Sequence, residues 1–256
     1  MDEKTAYIFG RNAILEALQN DRNNIEKIFV TFGATGESIN KIFSLAKRNK
    51  VLCVKQDNRK FITLERAVTP KGANTQGVIA LLKLFDTVDL TKLISISYKK
   101  DKNPVIVALD EITDPHNLGA IARTAECSGA TGIILSERES SPVTPTAIKI
   151  SSGALEHLPV AKVSSFAQAF EFLKSEGFWI IGTDMQGEQV YTEFDFNRPL
   201  VIIIGSEGKG LRPSTMKHCD ALLRIPIKGK VESLNASVSA GVVLYEIVRQ
   251  KSINKK

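Results

Sequence analysis

The stretch PLVIIIGSEGKGLRP, residues 199–213, decides the architecture of this chain. Its five apolar residues at 200–204 follow one another without a polar interruption, which is typical of a strand buried on both faces of a parallel sheet. The run ends in a glycine-rich turn that carries one acid, Glu207, and one base, Lys209. Because open parallel sheets bind ligands beyond the carboxyl ends of their strands, this turn is a candidate ligand site.

The glycine spacing of the turn excludes two common nucleotide sites. Gly205, Gly208 and Gly210 are separated by three and two positions, which is the reverse of the GxGxxG fingerprint and differs from the GxxxxGK[ST] loop. A standard dinucleotide or triphosphate site is therefore disfavoured. Taken alone, the turn is best interpreted as a tight structural connection. Two other strand ends in the sequence provide the evidence for a function.

A second strand ends in polar residues within VALDEITDPHNLGAIARTAECSGA, residues 107–130. The strand leads through Asp114 to Asn117 at or before the start of a helix, and Arg123 follows six positions later. With help from the turn, both side chains could reach one cleft. The simpler alternative has Asn117 capping the helix and Arg123 in an exposed ion pair.

A third strand end lies within LLRIPIKGKVESLNASVSAGVVLYEIV, residues 222–248. After the strand and its loop, Ser233, Leu234 and Asn235 open a helix whose first turns are rich in alanine, serine and glycine. Small residues let a ligand or another backbone approach closely. The alternative is a well-capped helix that only docks on the sheet.

The pattern of elements predicts an α/β protein with two domains. From residue 104 onward, short continuous apolar strands alternate with helices, which indicates a parallel sheet covered on both faces. Residues 1–85 show their own alternation of strands and helices and form a smaller α/β domain. Between them, residues 86–103 read as a short helix and then a linker, so the larger domain spans 104–256.

Charge is distributed unevenly along the chain. Residues 1–85 carry 14 lysines and arginines against 8 acids, whereas residues 104–256 carry 16 against 17. Within 41–60, seven basic residues face one acid. Such a patch can attract a polyanion such as RNA, although a solvated helix face is an equally good interpretation.

Cysteine, histidine and hydropathy patterns exclude several classes of protein. The three cysteines are odd in number and far apart, and neither they nor the three histidines have metal-ligand spacing, so we expect no disulfide framework and no metal. No apolar run approaches the roughly 18 residues of a membrane span. We therefore expect a cytoplasmic protein without a membrane partner.

The three strand ends, in this order, resemble motifs 1, 2 and 3 of the SpoU (TrmH) class of RNA 2′-O-methyltransferases, within the SPOUT superfamily. The likeness covers residues 104–250. In the first domain, FGRNAILEAL and TQGVIA resemble the substrate-binding domain of the RlmB branch, which methylates a guanosine of 23S rRNA. That branch often has histidine where this chain has Thr75.

The resemblance implies a fold, a cofactor and its contacts. It implies that the C-terminal part of the sheet is threaded into a trefoil knot, a rare exception among protein folds. It implies that the knot holds S-adenosylmethionine in a bent shape. The cofactor contacts carried over are Gly205, Gly210, Ile225, Pro226 and Leu234.

The resemblance also implies catalytic and RNA-binding residues. The catalytic set comprises Asn117, Arg123, Glu207, Ser233 and Asn235. Arginine is an awkward general base, so Arg123 either takes the proton of the ribose hydroxyl or clamps a substrate phosphate that helps to take it. The RNA-binding candidates are Arg11, Asn12, Lys47, Arg48 and Lys50.

A homodimer and several rival functions complete the expectations. In this class the active site lies against a partner subunit, and the last helix offers an apolar stripe at Leu234, Val238, Val242 and Tyr245. Within the class, a tRNA methyltransferase or an antibiotic-resistance rRNA methylase is the alternative to a 23S rRNA enzyme. Outside it, the rival functions are an inactive RNA-binding protein and a nucleotide-dependent oxidoreductase.

Overall fold

The computed structural model describes residues 7–20, 25–70, 72–82, 85–137, 139–230 and 233–253. It divides the chain into two compact units, Met1–Phe85 and Asp86–Lys256. The end of the first unit coincides with the predicted end of the first domain.

In the described part of the N-terminal unit, a four-stranded sheet packs with three helices. Its strand order is β1-β4-β2-β3, in which β2 and β3 are parallel and β4 runs antiparallel to both of its neighbours. The elements are β1 (Tyr7–Phe9), α1 (Arg11–Asn20), β2 (Ile25–Thr31), α2 (Glu37–Arg48), β3 (Leu52–Gln56), α3 (Asn58–Val68) and β4 (Val78–Leu82).

Helical spacing of apolar residues explains how this unit packs. Ile39, Ile42 and Ala46 recur at positions three and four apart in α2 and are fully buried against Ile28 and Val30 of β2. The sequence predicted α1, β2, α2, β3 and β4. It did not predict the short strand β1 or the helix α3, whose first turn is polar.

The C-terminal unit contains a seven-stranded sheet with helices packed against it. Neighbouring strands are parallel throughout the order β7-β6-β5-β10-β8-β11-β9, which confirms the predicted parallel sheet. The strands are β5 (Val105–Leu109), β6 (Gly132–Ser136), β7 (Val160–Val163), β8 (Trp179–Thr183), β9 (Gln189–Val190), β10 (Leu200–Ile204) and β11 (Ala221–Arg224). The helices are α4 (Leu90–Lys100), α5 (Pro115–Cys127), α6 (Pro145–Ile150), α7 (Ala154–His157), α8 (Phe166–Ser175), α9 (Pro213–Met216) and α10 (Ala236–Ile253), with a 3-10 turn at Tyr191–Glu193.

Strand β10, which leads into the glycine turn, lies at the centre of this sheet. β10 is flanked by β5 and β8, and its last residue, Ile204, is level with Leu109 and Thr183 at the ends of those strands. All five residues of β10 are buried. The uninterrupted apolar run therefore reflects cover on both faces, and the glycine turn emerges where three strands end.

Residues 86–103 contain the predicted short helix, α4, but this helix belongs to the second unit and packs on its sheet rather than leading into a separate linker. Leu93 and Ile94 of α4 are buried in the core that contains Val201 and Ile203. A side chain at Gly132 would meet Leu93 Cδ1 at 2.3 Å, so the helix lies directly on the sheet. The polar residues that suggested a linker cover the outer face of this helix.

Candidate active site

The glycine turn is a tight hairpin at the end of β10. The backbone N–H of Ser206 donates to the carbonyl of Gly210 at 3.1 Å, and the N–H of Gly210 donates back at 3.0 Å. A Cβ at Gly205 would lie 2.3 Å from the Gly210 carbonyl oxygen. Gly208 and Gly210 have φ of 78° and 66°, in the left-handed region that favours glycine. Gly205 is thus required for close packing of the backbone, and Gly208 and Gly210 for their positive φ.

A cleft of about 230 Å³ opens beside this turn. It lies between the end of β8, the glycine turn and the segment that runs from β11 into α10. Among the residues predicted to contact the cofactor, Gly205, Gly210, Ile225 and Leu234 line it, and Glu207 and Ser233 of the catalytic set line it too. Pro226 is exposed and does not line the cleft.

The cleft fits an adenosine-like ligand. Ile204, Met216, Leu223 and Ile225 give it apolar walls. The Ser206 hydroxyl oxygen is buried at its edge and has no hydrogen-bond partner among the described residues. An unpaired buried hydroxyl gains a partner when a polar ligand binds. Apolar walls with exposed backbone and one unpaired hydroxyl suit the purine and methionine parts of S-adenosylmethionine.

Asp184 is a residue of this site that sequence analysis missed. It follows β8, and its carboxylate accepts hydrogen bonds from the backbone N–H groups of Gln186 at 2.9 Å and Leu211 at 3.2 Å. A Cβ at Gly210 would lie 2.3 Å from Asp184 Oδ2. Asp184 therefore fixes the far side of the glycine turn. The rule that singled out polar residues after buried strands applies to it equally.

Three predicted catalytic residues form one hydrogen-bonded cluster at the cleft. Asn117 donates its side-chain N–H to Glu207 Oε1 at 3.0 Å. Asn235 donates to Asn117 Oδ1 at 3.0 Å and also to Glu207 Oε1. The cluster joins α5, the glycine turn and the start of α10, which are far apart in the sequence.

Asn235 is oriented by the helix that it precedes. Its Oδ1 accepts from the backbone N–H groups of Ser237 at 2.9 Å and Val238 at 3.4 Å, which is the geometry of an N-cap on α10. The amide nitrogen is thereby turned toward Glu207. Asn117 has no such capping role, because Asp114 caps α5 by accepting from the N–H of His116 at 2.9 Å.

Arg123 stands apart from the cluster within one chain. It lies six residues after Asn117 on α5, roughly 9 Å farther along the helix axis and on a different side. Its side chain is exposed and makes no hydrogen bond or ion pair with a described residue. One chain thus brings together Asn117, Glu207 and Asn235 but leaves Arg123 facing solvent.

A buried ion pair anchors the exit of the glycine turn. The guanidinium of Arg212 lies 2.6 Å from Asp110, which follows β5 and is fully buried, and it also pairs with Glu139. Burial lowers the pKa of Arg212, but the hydrogen bonds and charges of Asp110 and Glu139 outweigh it, so the pKa lies above its ordinary value. No motif in the sequence pointed to this pair, since its members are 102 positions apart.

The RNA-binding candidates fall at two opposite ends of the N-terminal sheet. Arg11 begins α1 beside the start of β4, which is paired with the end of β2. Helix α2 returns from that end, so Lys47, Arg48 and Lys50 lie beside the start of β3. Asn12 and the three basic residues are exposed, and Arg11 is partly buried.

Thr75, which replaces the frequent histidine, faces the interior. It is 3% exposed, and its hydroxyl donates to the carboxylate of Glu65. The neighbouring Gln76 is exposed and accepts the first N–H of α1, from Arg11, at 2.9 Å. The substitution thus changes a buried contact rather than the surface of this turn.

Within the described ranges, no helix is both long enough and apolar enough to cross a membrane. The same residues include no group of three or more histidine, cysteine or acidic side chains placed to hold a metal ion.

Comparison with known proteins gives two family matches that together span most of the chain. Residues 104–245 match the SpoU rRNA Methylase family, and residues 7–88 match the RNA 2′-O ribose methyltransferase substrate-binding family. A putative TrmH family tRNA/rRNA methyltransferase of Bacillus subtilis is 36% identical over 98% of both chains. The 23S rRNA (guanosine-2′-O-)-methyltransferase RlmB of Pseudomonas putida is 35% identical over 97% of this chain and 98% of its own length. The crystal structure of an AdoMet-bound rRNA methyltransferase from Sinorhizobium meliloti covers 96% of this chain and 87% of its own, with 25% identity and a TM-score of 0.62.

Proposed function

The chain belongs to the SpoU rRNA methylase family, and we propose that it methylates the ribose 2′-hydroxyl of a guanosine in 23S rRNA. The class is that of S-adenosylmethionine-dependent RNA 2′-O-methyltransferases, as the resemblance in the sequence predicted. The finer target is supported by the Pseudomonas putida relative, whose name specifies guanosine methylation of 23S rRNA and whose length is matched almost completely. The trefoil knot stays a prediction carried by the family.

The observation that carries the proposal is the meeting of the cleft and the polar cluster. Glu207 both lines the cleft and accepts hydrogen bonds from Asn117 and Asn235. A ligand in the cleft and a polar substrate at the cluster would therefore be neighbours. This is the arrangement that group transfer between two bound molecules requires.

The residues that would hold S-adenosylmethionine are Gly205, Gly210, Ile225 and Leu234, with Ser206 and Asp184 added by the structure. When bound, this cofactor supplies a methyl group on a positively charged sulfur. The backbone of the glycine turn offers polar groups, and the apolar walls exclude water.

The polar cluster would hold the ribose in place. Asn235 is fixed by α10 and Asn117 by Glu207, so both amides are oriented before RNA arrives. Glu207 braces the two amides as their common acceptor. Ser233, at the cleft, is close enough in sequence to Asn235 to contact the same substrate. Preorganised groups of this kind raise the rate by lowering the cost of orientation.

Arg123 completes the site in our proposal from the partner subunit of a homodimer. It is exposed on α5 and makes no hydrogen bond or ion pair with the described residues of its own chain. Helix α10, which packs on α5, exposes Val238 by 50% and Tyr245 by 52%, and these apolar side chains offer a surface for a second copy. In that role Arg123 either accepts the hydroxyl proton or clamps a phosphate.

The test is to map 2′-O-methyl groups in rRNA and tRNA from cells that lack the gene. We expect one guanosine of 23S rRNA to lose its methyl group and to regain it when the gene is restored. Loss in tRNA instead would replace 23S rRNA by the tRNA alternative, and no loss in either RNA would contradict the proposal. Sedimentation of the purified protein should give about twice the chain mass of 28.1 kDa. A cytoplasmic location belongs to the same proposal, since the substrate is there.

A further inference from the structure

The carboxyl end of the N-terminal sheet carries an exposed aromatic ring that the proposed chemistry does not use. Phe32 directly follows β2 and is 63% exposed, more than any other large apolar side chain among the described residues. Its backbone N–H donates to the carbonyl of Gln56 at 2.9 Å, so the ring stands on a fixed backbone. An exposed ring on an ordered segment is a ready stacking platform.

Hydrogen bonds join the neighbouring segments around this ring. The Thr31 hydroxyl donates to Asn58 Oδ1 at 2.5 Å, which links β2 to the start of α3. The Arg11 guanidinium donates to the carbonyls of Thr35 and Gln76, both at 3.1 Å, which links α1 to the loops after β2 and before β4. We name the resulting face the carboxyl-edge surface, and it consists of Arg11, Phe32, Asn58, Asn74 and Gln76.

The side-chain amides of this surface are left as hydrogen-bond donors. The side-chain oxygen of Gln76 accepts from the backbone N–H of Arg11 at 2.9 Å, and the side-chain oxygen of Asn74 accepts from the backbone N–H of Gln76 at 3.0 Å. The oxygen of Asn58 is likewise occupied, by the Thr31 hydroxyl. Each exposed amide therefore keeps its NH2 group for a ligand, beside a guanidinium that can only donate. The surface suits a ligand rich in acceptors.

The backbone at Gln76 is held in an uncommon conformation. Its φ is 53°, in the left-handed region that residues other than glycine seldom adopt. The contact to the first N–H of α1 and the preceding Asn74 turn hold it there. Such conformations are found preferentially at binding sites, because the surrounding structure must maintain them.

The basic residues described in the N-terminal unit form no ion pairs with its described acids. None of their lysine or arginine nitrogens lies within 4.0 Å of a described carboxylate oxygen, whereas the C-terminal unit has several such ion pairs. The described partners of the Arg11 guanidinium are neutral backbone carbonyls. Arg59 and Lys60, exposed in the first turn of α3, add positive charge next to Asn58. The surface therefore suits a ligand that is negatively charged as well as rich in hydrogen-bond acceptors.

We propose that the carboxyl-edge surface binds an unpaired nucleotide of the substrate RNA, with the base stacked on Phe32 and its acceptor atoms or phosphate held by Arg11 and the amides. This inference rests on the proposed function and names the kind of RNA that the enzyme recognises. Bases in a duplex are stacked on one another and hide their faces, so a protein ring stacks only on a base in a loop or bulge.

The opposite end of the same sheet supplies a matched control. Leu52 there is 59% exposed and, like Phe32, apolar, but it is not aromatic. Lys47, Arg48 and Lys50 also lie at that end, but they are themselves RNA-binding candidates and do not serve as controls. If RNA binding depended only on exposed apolar surface, a change at Leu52 would weaken it as much as a change at Phe32.

The experiment measures binding of the full chain to a labelled hairpin RNA with an unpaired loop and to a fully paired duplex. We expect Phe32→Ala to bind the hairpin about 5- to 150-fold more weakly, the range for loss of one stacked base. Duplex binding should not change, and neither should the salt dependence, because no phosphate contact is lost. Leu52→Ala should behave like the parent, and Phe32→Trp should keep hairpin affinity.

A spectroscopic readout follows from the single tryptophan of the chain, Trp179. In a Phe32→Trp, Trp179→Phe double variant, the only indole stands on the carboxyl-edge surface. Its fluorescence should be quenched by the hairpin and not by the duplex. Equal thermal unfolding of Phe32→Ala and the parent shows that the variant is folded.

Outcomes separate this inference from the proposed function. If the parent chain methylates its RNA and Phe32→Ala binds the hairpin as tightly as the parent, the inference alone is wrong. Equal losses on hairpin and duplex would also overturn it, since stacking cannot explain them. If the parent methylates no RNA but Phe32→Ala still loses hairpin binding, the proposed function is wrong and the RNA surface stands.

Discussion

Asn117 and Asn235 share the Glu207 carboxylate as acceptor, yet only Asn235 also caps a helix. We expect Asn235→Ala to lower the free energy of unfolding by about 0.5–2 kcal/mol through loss of the cap on α10. Asn117→Ala should be nearly neutral in stability, because Asp114 caps α5. Both variants should lose methyl transfer. Chemical denaturation with a methylation assay checks the two effects, and equal stability losses would contradict the division of roles.

The glycine turn offers a matched pair of substitutions. At Gly205 a Cβ would lie 2.3 Å from a backbone oxygen, whereas at Gly208 nothing lies within 4 Å and only the positive φ opposes a side chain. Gly208→Ala should therefore cost about 1–2 kcal/mol of stability and leave cofactor binding measurable. Gly205→Ala should abolish cofactor binding, since the turn must open. Calorimetry with S-adenosylmethionine distinguishes them, and similar affinities for both variants would be inconsistent with this geometry.

Arg123 is predicted to act through its planar guanidinium rather than through its charge alone. Arg123→Lys and Arg123→Ala should both lose at least roughly 100-fold in single-turnover methylation, because lysine lacks the two-pronged hydrogen-bond geometry. Binding of S-adenosylmethionine should be unchanged, since Arg123 does not line the cleft. Lys162→Ala, an exposed cation on β7, serves as the control. Near-normal turnover of the lysine variant would show that Arg123 acts through its charge alone.

The pair formed by Arg212 and Asp110 makes a prediction about stability. Arg212→Ala would leave the fully buried Asp110 carboxylate without its charge partner, at a cost of about 3–5 kcal/mol in the free energy of unfolding. Arg198→Ala removes a partly buried arginine that pairs with the exposed Asp195 and lies 4.4 Å from the centre of the Trp179 ring, so it should cost about 1–2 kcal/mol. Urea denaturation compares the two variants. Equal effects would show that burial of Asp110 does not govern the cost.

The three cysteines should differ in reactivity. Burial raises the pKa of Cys53 to about 11 and that of Cys219 to about 12, so at pH 8 only about one in a thousand or fewer of these thiols is ionised. Since a raised pKa keeps the reactive thiolate scarce until the pH rises, the exposed Cys127 should react first with a disulfide reagent. We expect about one fast equivalent in the native protein, lost in Cys127→Ser, and all cysteines reactive after unfolding.

The sequence predicted the elements that periodicity or length makes distinct. Five consecutive apolar residues in β10 predict a buried strand, and the amphipathic spacing in α2 predicts a helix. By contrast, β1 has three residues and pairs with β4 alone, so it carries no pattern of its own. Helix α3 begins with Asn58, Arg59 and Lys60, which read as a loop because their helical state depends on the Asp57 cap.

Site residues could be predicted where several polar residues lie close together in the sequence. They could not be predicted where a contact joins residues that are far apart in the sequence. Glu207 and Asn235 were found because each follows a strand or opens a helix in a stretch with a family resemblance. The partnership of Arg212 with Asp110 was not, because neither residue has an unusual neighbour and only the sheet brings them together. Phe32 was overlooked for a related reason, since exposure of one ring cannot be read from its local sequence.

The central position of β10 has a consequence for synthesis of the protein. Its partner β5 is complete about 95 residues before β10 exists, because Val105 pairs with Leu200. On the ribosome, β5 and β8 must therefore wait with unpaired edges until β10 arrives between them, and waiting edges are open to wrong partners. Chaperone demand should consequently be highest for nascent chains that have passed β8 but not yet released β10, and a stalled chain of that length should aggregate more readily than a shorter one.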